Sequence, residues 1–261
     1  MIESILNDIS SKLNIEIDKN KIKYFKDGVS DSIVFKYEKY LIKTVDIKEL
    51  DAYLEFFRLY KEPCFQKVIC YSKELLYICF SYIEGTLFKE NILDSKLVVE
   101  ELYKITSNYR EYKYDAYGYL EEEDFTWIDF LMDEAYRDED KIGIDYKKLF
   151  DSFEVIKKYD APKYLLHGDF GTHNFIVNNG KIYAIDPIPL VGDYLYDFYF
   201  GIFTDVKIFK DLDVDYILSF FDREYEYKKT LMIICFFIRL RRASKYDKEN
   251  INIYIDYINK L

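Results

Sequence analysis

The strongest constraint on this chain is a hairpin with polar segments at both of its ends. Phe175-Ile176-Val177-Asn178 and Lys181-Ile182-Tyr183-Ala184-Ile185 read as strands. They flank Asn179-Gly180, the pair preferred by type I′ turns, whose two central residues take positive φ. His167-Gly168-Asp169-Phe170-Gly171-Thr172-His173-Asn174 leads into the hairpin, and Asp186-Pro187 follows it. Because a hairpin folds back on itself, Asp186 returns to the level of Asn174, on the loop that carries Asp169. Two carboxylates and an amide oxygen then converge in a hard, oxygen-rich site suited to Mg²⁺ rather than zinc or copper. A metal-nucleotide needs such ligands, with one carboxylate left free to face an acceptor hydroxyl.

The rest of the chain divides around that hairpin. Ile2, Ile5, Leu6, Ile9 and Leu13 recur at helical spacing and predict a short amphipathic helix over residues 2–13. Ile22–Phe25, Ser32–Tyr37 and Tyr40–Val45 read as strands. Leu50, Leu54, Phe57 and Arg58 start a helical face that runs to about Lys61, and Pro63 marks its end. Two more strands lie near Lys67–Tyr71 and Leu75–Tyr82, after which Glu84-Gly85 breaks the pattern. Helices then dominate, over about 94–110, 126–137 and 145–158 and again after Gly192. The order predicts an α+β chain of two lobes. Residues 1–83 form an antiparallel five-stranded sheet with a helix, and residues 84–261 a larger helical lobe with the hairpin embedded in it. Two lobes on a short connection imply a cleft between them.

Composition removes several classes of function. A chain of 261 residues buries a sizeable core without disulfides or a structural metal. Its 48 acidic residues against 37 basic ones leave a formal charge of -11. That repels phosphate backbones, so nucleic acid is not an expected partner, whereas a cationic ligand is favoured. The longest apolar run, Leu231–Ile238, is far short of the roughly 20 residues that cross a bilayer, so no membrane partner is expected. Met1–Asp8 lacks the basic and apolar regions of a signal peptide, and a cytoplasmic location is expected. Cys64, Cys70, Cys79 and Cys235 form no Cys-x-x-Cys pair and only two histidines accompany them, which argues against zinc. They read as buried small hydrophobes in a reducing compartment.

The combination of His167-Gly168-Asp169, Asn174, the Asn-Gly hairpin and Ile185-Asp186-Pro187 resembles the aminoglycoside phosphotransferase family. These are small-molecule kinases of the protein-kinase-like superfamily, with H-G-D-x-x-x-x-N followed by a hairpin and I-D. The resemblance implies a protein-kinase-like fold in which Asp169 orients the acceptor hydroxyl and takes its proton, while Asn174 and Asp186 hold Mg²⁺. Gly192-Asp193 and Asp197 match the family's G-D-x-x-x-D element, whose later aspartate braces the catalytic loop through backbone N–H groups. Gly168 stands where many regulated protein kinases carry arginine. Asp186-Pro187 also runs almost directly into Gly192-Asp193 with no A-P-E, which leaves no room for an activation loop. The pattern is that of a kinase of small molecules, not of proteins.

Lys43 sits in the apolar run Leu41-Ile42-Lys43-Thr44-Val45 and needs a partner or a ligand, unless strand alternation simply turns it outward. The resemblance makes it the lysine that contacts the α- and β-phosphates, with Glu49 as its helix partner and Glu55 as the fallback. Gly28-Val29-Ser30-Asp31-Ser32 corresponds to the loop over the phosphates, where Ser30 and backbone N–H groups meet phosphate oxygens. It carries a single glycine where the family often has two, and an ordinary β-turn accounts for the same residues. Ser81-Tyr82-Ile83-Glu84 resembles the hinge, with the main chain at Ser81 and Ile83 on the adenine.

His167 reads as a loop brace, His173 as a solvent-facing neighbour of Asn174, and Trp127 as core. Arg239, Arg241 and Arg242 with Lys245 read as a solvated or ion-paired helix face. Acidic residues Glu121–Asp124 and Asp133, Glu134, Asp138, Glu139 and Asp140 fall where the family builds its acceptor site. They would attract a polyamine-like antibiotic or simply be a solvated surface. The function implied is transfer of the γ-phosphoryl group of Mg-ATP or Mg-GTP to a hydroxyl of a small molecule, an aminoglycoside by the family's name. The alternatives are a metabolic kinase of choline, a sugar or homoserine, and a nucleotide-binding pseudokinase. A negative acceptor cleft favours the antibiotic, whereas arginines lining it argue against one.

Overall fold

Helix α1 (Ile2–Leu13) forms where Ile5, Leu6 and Ile9 fall on one side, and it lays that side on the N-terminal sheet. The computed structural model describes residues 1–25, 32–91, 93–122, 126–136 and 142–261. The sheet comprises β1 (Lys23–Phe25), β2 (Val34–Tyr37), β3 (Tyr40–Thr44), β4 (Val68–Ser72) and β5 (Tyr77–Ser81), in the order β1-β2-β3-β5-β4. Every pairing is antiparallel. Helix α2 (Ile47–Leu59) crosses from β3 to β4, and the Asp46 carboxylate caps it by accepting the Glu49 N–H at 2.9 Å.

The two-residue period of the strands sorts this lobe into three layers. Phe35, Tyr37, Ile42, Tyr77 and Cys79 meet α1, whereas Ile78 and Phe80 join Leu50, Tyr53, Phe56 and Phe57 of α2 on the other face. Lys43 follows Ile42 and so is turned toward α2, not out to solvent.

The C-terminal part contains β6 (Thr86–Leu87), α3 (Ser95–Thr106), β7 (Gly118–Tyr119), α4 (Trp127–Ala135), α5 (Lys147–Ile156) and β8 (Tyr164–Leu166). The hairpin strands β9 (Phe175–Asn178) and β10 (Lys181–Ala184) come next, then β11 (Leu190–Gly192) and α6 (Tyr194–Ile202). Helices α7 (Val206–Phe209), α8 (Val214–Leu218), α9 (Tyr225–Tyr246) and α10 (Ile251–Ile258) complete it. The hairpin turns as its sequence demands, with φ of 51° at Asn179 and 74° at Gly180. Two sheets were not anticipated. β6 extends the hairpin as β10-β9-β6, and β7-β11-β8 forms a second three-stranded sheet. Strands of two or three residues are too short to show alternation.

Leu231–Ile238 belongs to α9, where every one of these residues is buried, as befits the central helix of a helical lobe. Among the described residues no helix is long and apolar enough to cross a membrane. Trp127 lies in the core, stacked on Phe130. Cys79 and Cys235 are buried, but Cys64 and Cys70 are only half-buried, because Cys70 lies on the edge strand β4.

The end of α2 is fastened to the helical lobe. Tyr60 Oη donates to Leu165 O at 2.6 Å and accepts the Arg110 N–H at 2.9 Å, and the Ala184 N–H donates to Cys64 O at 2.8 Å. These bonds hold α2 in a fixed relation to the end of the hairpin.

Candidate active site

The loop between β8 and β9 is built from below by a buried carboxylate. Asp197 of α6, fully buried, accepts the His167 N–H at 2.8 Å, the Gly168 N–H at 3.2 Å and the Tyr109 hydroxyl at 2.7 Å. This is the bracing expected of that aspartate. Gly168 has φ +79°, and a Cβ there would lie 1.9 Å from Ile188 O, so no side chain fits at this position of the loop.

His167 is wholly buried, and its Nε2 lies 2.9 Å from Ile185 O. A carbonyl only accepts, so Nε2 carries the proton. Burial pushes the imidazole down to about 4, below the ordinary histidine value, and the ring is neutral at pH 7. Its folded-state pKa is lower than its unfolded one, so this group's contribution is present above pH ~6.5 and is lost as pH falls toward ~4, by about 3 kcal/mol. His167→Gln, which keeps a donor for Ile185 O, should flatten that part of the stability–pH curve in urea titrations. An unchanged slope would contradict the assignment.

Asp169 projects from this loop. Its Oδ2 accepts from Asn174 Nδ2 at 2.9 Å and from His173 Nε2 at 2.8 Å, and its Oδ1 faces Arg242 Nη1 at 3.6 Å. Burial alone would raise the carboxyl, but the hydrogen bond from His173 and the nearby charge of Arg242 more than reverse that. The group is held below the ordinary aspartate range and is ionised at neutral pH. Both neighbours take the more specific form of their expectation: His173 is exposed but turned onto Asp169, and Arg241 and Arg242 of α9 form the ion-paired rather than the solvated version of that helix face.

The hairpin brings the second carboxylate back as its geometry requires. Ala184 pairs with Phe175, and the Ile185 N–H donates to Asn174 O at 3.0 Å. Asp186 then takes a left-handed φ of 56°, an uncommon conformation outside glycine that Asp and Asn tolerate best. Its Oδ1 accepts from Lys43 Nζ at 2.7 Å and from the Tyr53 hydroxyl. Lys43 also pairs with Glu49 at 2.8 Å and donates to Tyr53 Oη at 2.7 Å. Its side chain is 11% exposed. Burial would lower the ammonium, but Asp186 and Glu49 reverse this and raise it above the ordinary lysine value. Burial and the same two carboxylates keep Tyr53 a neutral donor. Glu55, the other candidate partner, pairs with Arg58 at 2.6 Å instead.

The oxygen donors fit a hard divalent cation. The Asn174 amide nitrogen is spent on Asp169 O and Oδ2, which leaves its carbonyl oxygen for another partner, and the Asp186 side chain is half exposed. Among the described residues no group of three or more His, Cys, Asp and Glu side chains is placed to hold a metal by itself. The remaining ligands of a Mg²⁺ ion would therefore come from phosphate oxygens and water.

Ser30, with Gly28–Asp31, lies outside the described residues, as do Glu123, Asp124 and Asp138–Asp140. Ser81 closes β5, and its N–H already donates to Lys67 O at 2.8 Å, whereas Ile83 follows beyond the strand. Sequence reasoning missed Tyr53 and Arg242. The signal for Tyr53 was its place one helical turn after Glu49, on the same side of α2. For Arg242 no local signal existed.

No protein-family model matches the chain, and no curated protein matches it. Solved structures do. A ternary complex of a thermostable aminoglycoside phosphotransferase APH(4)-Ia mutant with ADP and hygromycin B aligns with a TM-score of 0.62 at 16% identity, over 98% of each chain. Choline kinase LicA from Streptococcus pneumoniae aligns with a TM-score of 0.56 at 16% identity, over 100% of this chain and 98% of that one. ADP-bound aminoglycoside phosphotransferase APH(2'')-Ib aligns at 0.55 and 14%, with the same coverage. The chain has the two-lobed, protein-kinase-like fold of these small-molecule kinases.

Proposed function

We propose that this protein is a cytoplasmic phosphotransferase that moves the γ-phosphoryl group of Mg-ATP or Mg-GTP onto a hydroxyl of a small molecule. The observation that carries this reading is the convergence of Lys43, Glu49, Tyr53 and Asp186 across the two sheets, next to a loop that presents an ionised Asp169. The nucleotide lies between residues 1–83 and 84–261. Its adenine meets the main chain from Ile83 onward, since the Ser81 N–H is committed within the sheet, and Ser30 belongs to the loop over the phosphates. Lys43, oriented by Glu49 and Tyr53, offsets charge on the phosphates. Asn174 and Asp186 are the residues that would hold Mg²⁺, which supplies further neutralisation of the triphosphate when bound.

Asp169 accepts a hydrogen bond from the acceptor hydroxyl, orients its oxygen and takes its proton as transfer proceeds. His173 and Asn174 fix the carboxylate so that little reorganisation accompanies the step. Transfer of label from a γ-radiolabelled nucleotide to a small molecule, in a panel spanning aminoglycosides, choline, sugars, homoserine and hydroxy acids, tests the reading. Label confined to nucleotide and inorganic phosphate throughout would favour a nucleotide-binding module that transfers nothing.

A further inference from the structure

The face of the N-terminal sheet that lies under α1, turned away from Lys43, carries two thiols that meet. Cys70 of β4 and Cys79 of β5 are direct partners in an antiparallel pairing, and Tyr71 with Ile78 and Ser72 with Tyr77 continue that register. The register shift in this pair of strands lies before Cys70, between it and Val68. Cys79 belongs to the apolar cluster beneath α1, and Cys70 packs against the same cluster, so both side chains leave the sheet on one side. Opposed residues on an antiparallel ladder have Cα atoms about 4.5–5.5 Å apart, inside the roughly 4.4–6.8 Å that a disulfide spans. Both cysteines are free thiols.

The surroundings make the two thiols unequal. Lys12 Nζ of α1 donates to Tyr71 O and to Asp8 Oδ2, both at 2.7 Å, and Asp8 Oδ2 also accepts the Tyr77 hydroxyl at 2.6 Å. A hydrogen bond from the Cys79 thiol, helped by the Tyr77 hydroxyl and the Lys12 charge, outweighs burial and Asp8 and holds Cys70 below the ordinary thiol value. The same bond, with burial, raises Cys79, so Cys79 keeps its proton while Cys70 carries the charge. Burial pushes the Cys64 thiol up to about 12 and sets Cys235 well above its ordinary value. Cys70 is therefore the cysteine with the most thiolate at neutral pH, and the thiolate is the nucleophile. It is half-buried on β4, the strand on which the sheet order ends, and an oxidant little larger than water needs no wide opening to reach it.

We propose that Cys70 and Cys79 form a reversible oxidation site for hydrogen peroxide, with Cys70 as the residue oxidised and Cys79 as the residue that resolves it into a cross-strand disulfide. The Cys70 thiolate attacks one peroxide oxygen and the O–O bond breaks. The sulfur becomes a sulfenic acid, and the departing hydroxide takes up a proton as water. The Cys79 sulfur then attacks the Cys70 sulfur. The S–S bond forms, the S–O bond breaks, and the hydroxyl leaves with the Cys79 proton as a second water. Two thiols give up two electrons and one peroxide receives them. In a reducing compartment a bond of this kind is transient and is reversed by thiols. The site is separate from the nucleotide cleft and does not depend on the phosphotransferase reading.

The test is a non-reducing peptide map of the folded full chain after a short exposure to hydrogen peroxide, with remaining thiols blocked by alkylation. Trypsin cuts after Lys67, Lys73 and Lys89, which places the two cysteines on separate peptides, 68–73 and 74–89. These two peptides should appear linked, and a dithiol reductant should part them. Cys70 should be consumed at least about 10-fold faster than Cys64. Cys79→Ala removes the resolving thiol and its hydrogen bond, so Cys70 should react more slowly and stop at a sulfenic acid that dimedone captures. If that variant is unfolded, as a thermal melt will show, the wild-type map decides alone. Absence of the linked pair, a link from Cys70 to any other cysteine, or a Cys70 sulfenic acid that persists in the wild type would overturn the proposal.

Discussion

Asp169→Asn is expected to lower acceptor-dependent phosphoryl transfer by about 10²–10⁴-fold while leaving nucleotide binding nearly unchanged. The amide has almost the same shape, so it can still accept from Asn174 and His173 through its oxygen. Its nitrogen would then face the acceptor and Arg242, where a carboxylate oxygen was needed to receive a proton. Lys43, Glu49, Tyr53 and Asp186 make none of their bonds to this side chain, so the nucleotide end of the cleft is untouched. A parallel loss of nucleotide affinity would mean that the loop had collapsed, and melting curves distinguish the two. Normal turnover by the variant would contradict the role given to Asp169.

Asp186→Ala is expected to act at the other end. It removes the carboxylate that meets Lys43 and Tyr53 and, with Asn174, one of the two oxygen donors assigned to Mg²⁺. Nucleotide affinity in the presence of Mg²⁺ should fall by about 10²-fold or more, and transfer with it. The diagnostic feature is the comparison with chelator: the wild-type affinity should drop when Mg²⁺ is removed, while that of the variant should scarcely move. Lys43 keeps Glu49 in the variant, so a loss that is equally large without Mg²⁺ would assign Asp186 to fixing the lysine instead.

Local chemistry made the centre of this molecule legible. An Asn-Gly turn sets both φ values, and a hairpin of known register returns Asp186 to Asn174, so the loop and the pair proposed to hold Mg²⁺ could be placed from spacing alone. The amphipathic α1 was equally open to reading because its periodicity is written in consecutive residues. What spacing could not supply were contacts made by the fold. Lys43 and Asp186 are 143 positions apart, and strand alternation left the direction of Lys43 open until the α1 layer claimed Ile42. Arg242 sits in a stretch that looks like any charged helix surface. Only the crossing of α9 past α4 and the Asp169 loop turns it toward Glu134 and Asp169. The short strands β6, β7, β8 and β11 owe their existence to partners rather than to propensity.

The most direct measurement is coupled nucleoside diphosphate release with Mg-ATP and Mg-GTP across the acceptor classes, run side by side on the wild type and Asp169→Asn. The account predicts release stimulated by one class of hydroxylated acceptor and lowered by about 10²–10⁴-fold in the variant. Release that no acceptor stimulates, or that persists equally in Asp169→Asn, would contradict phosphoryl transfer at this site.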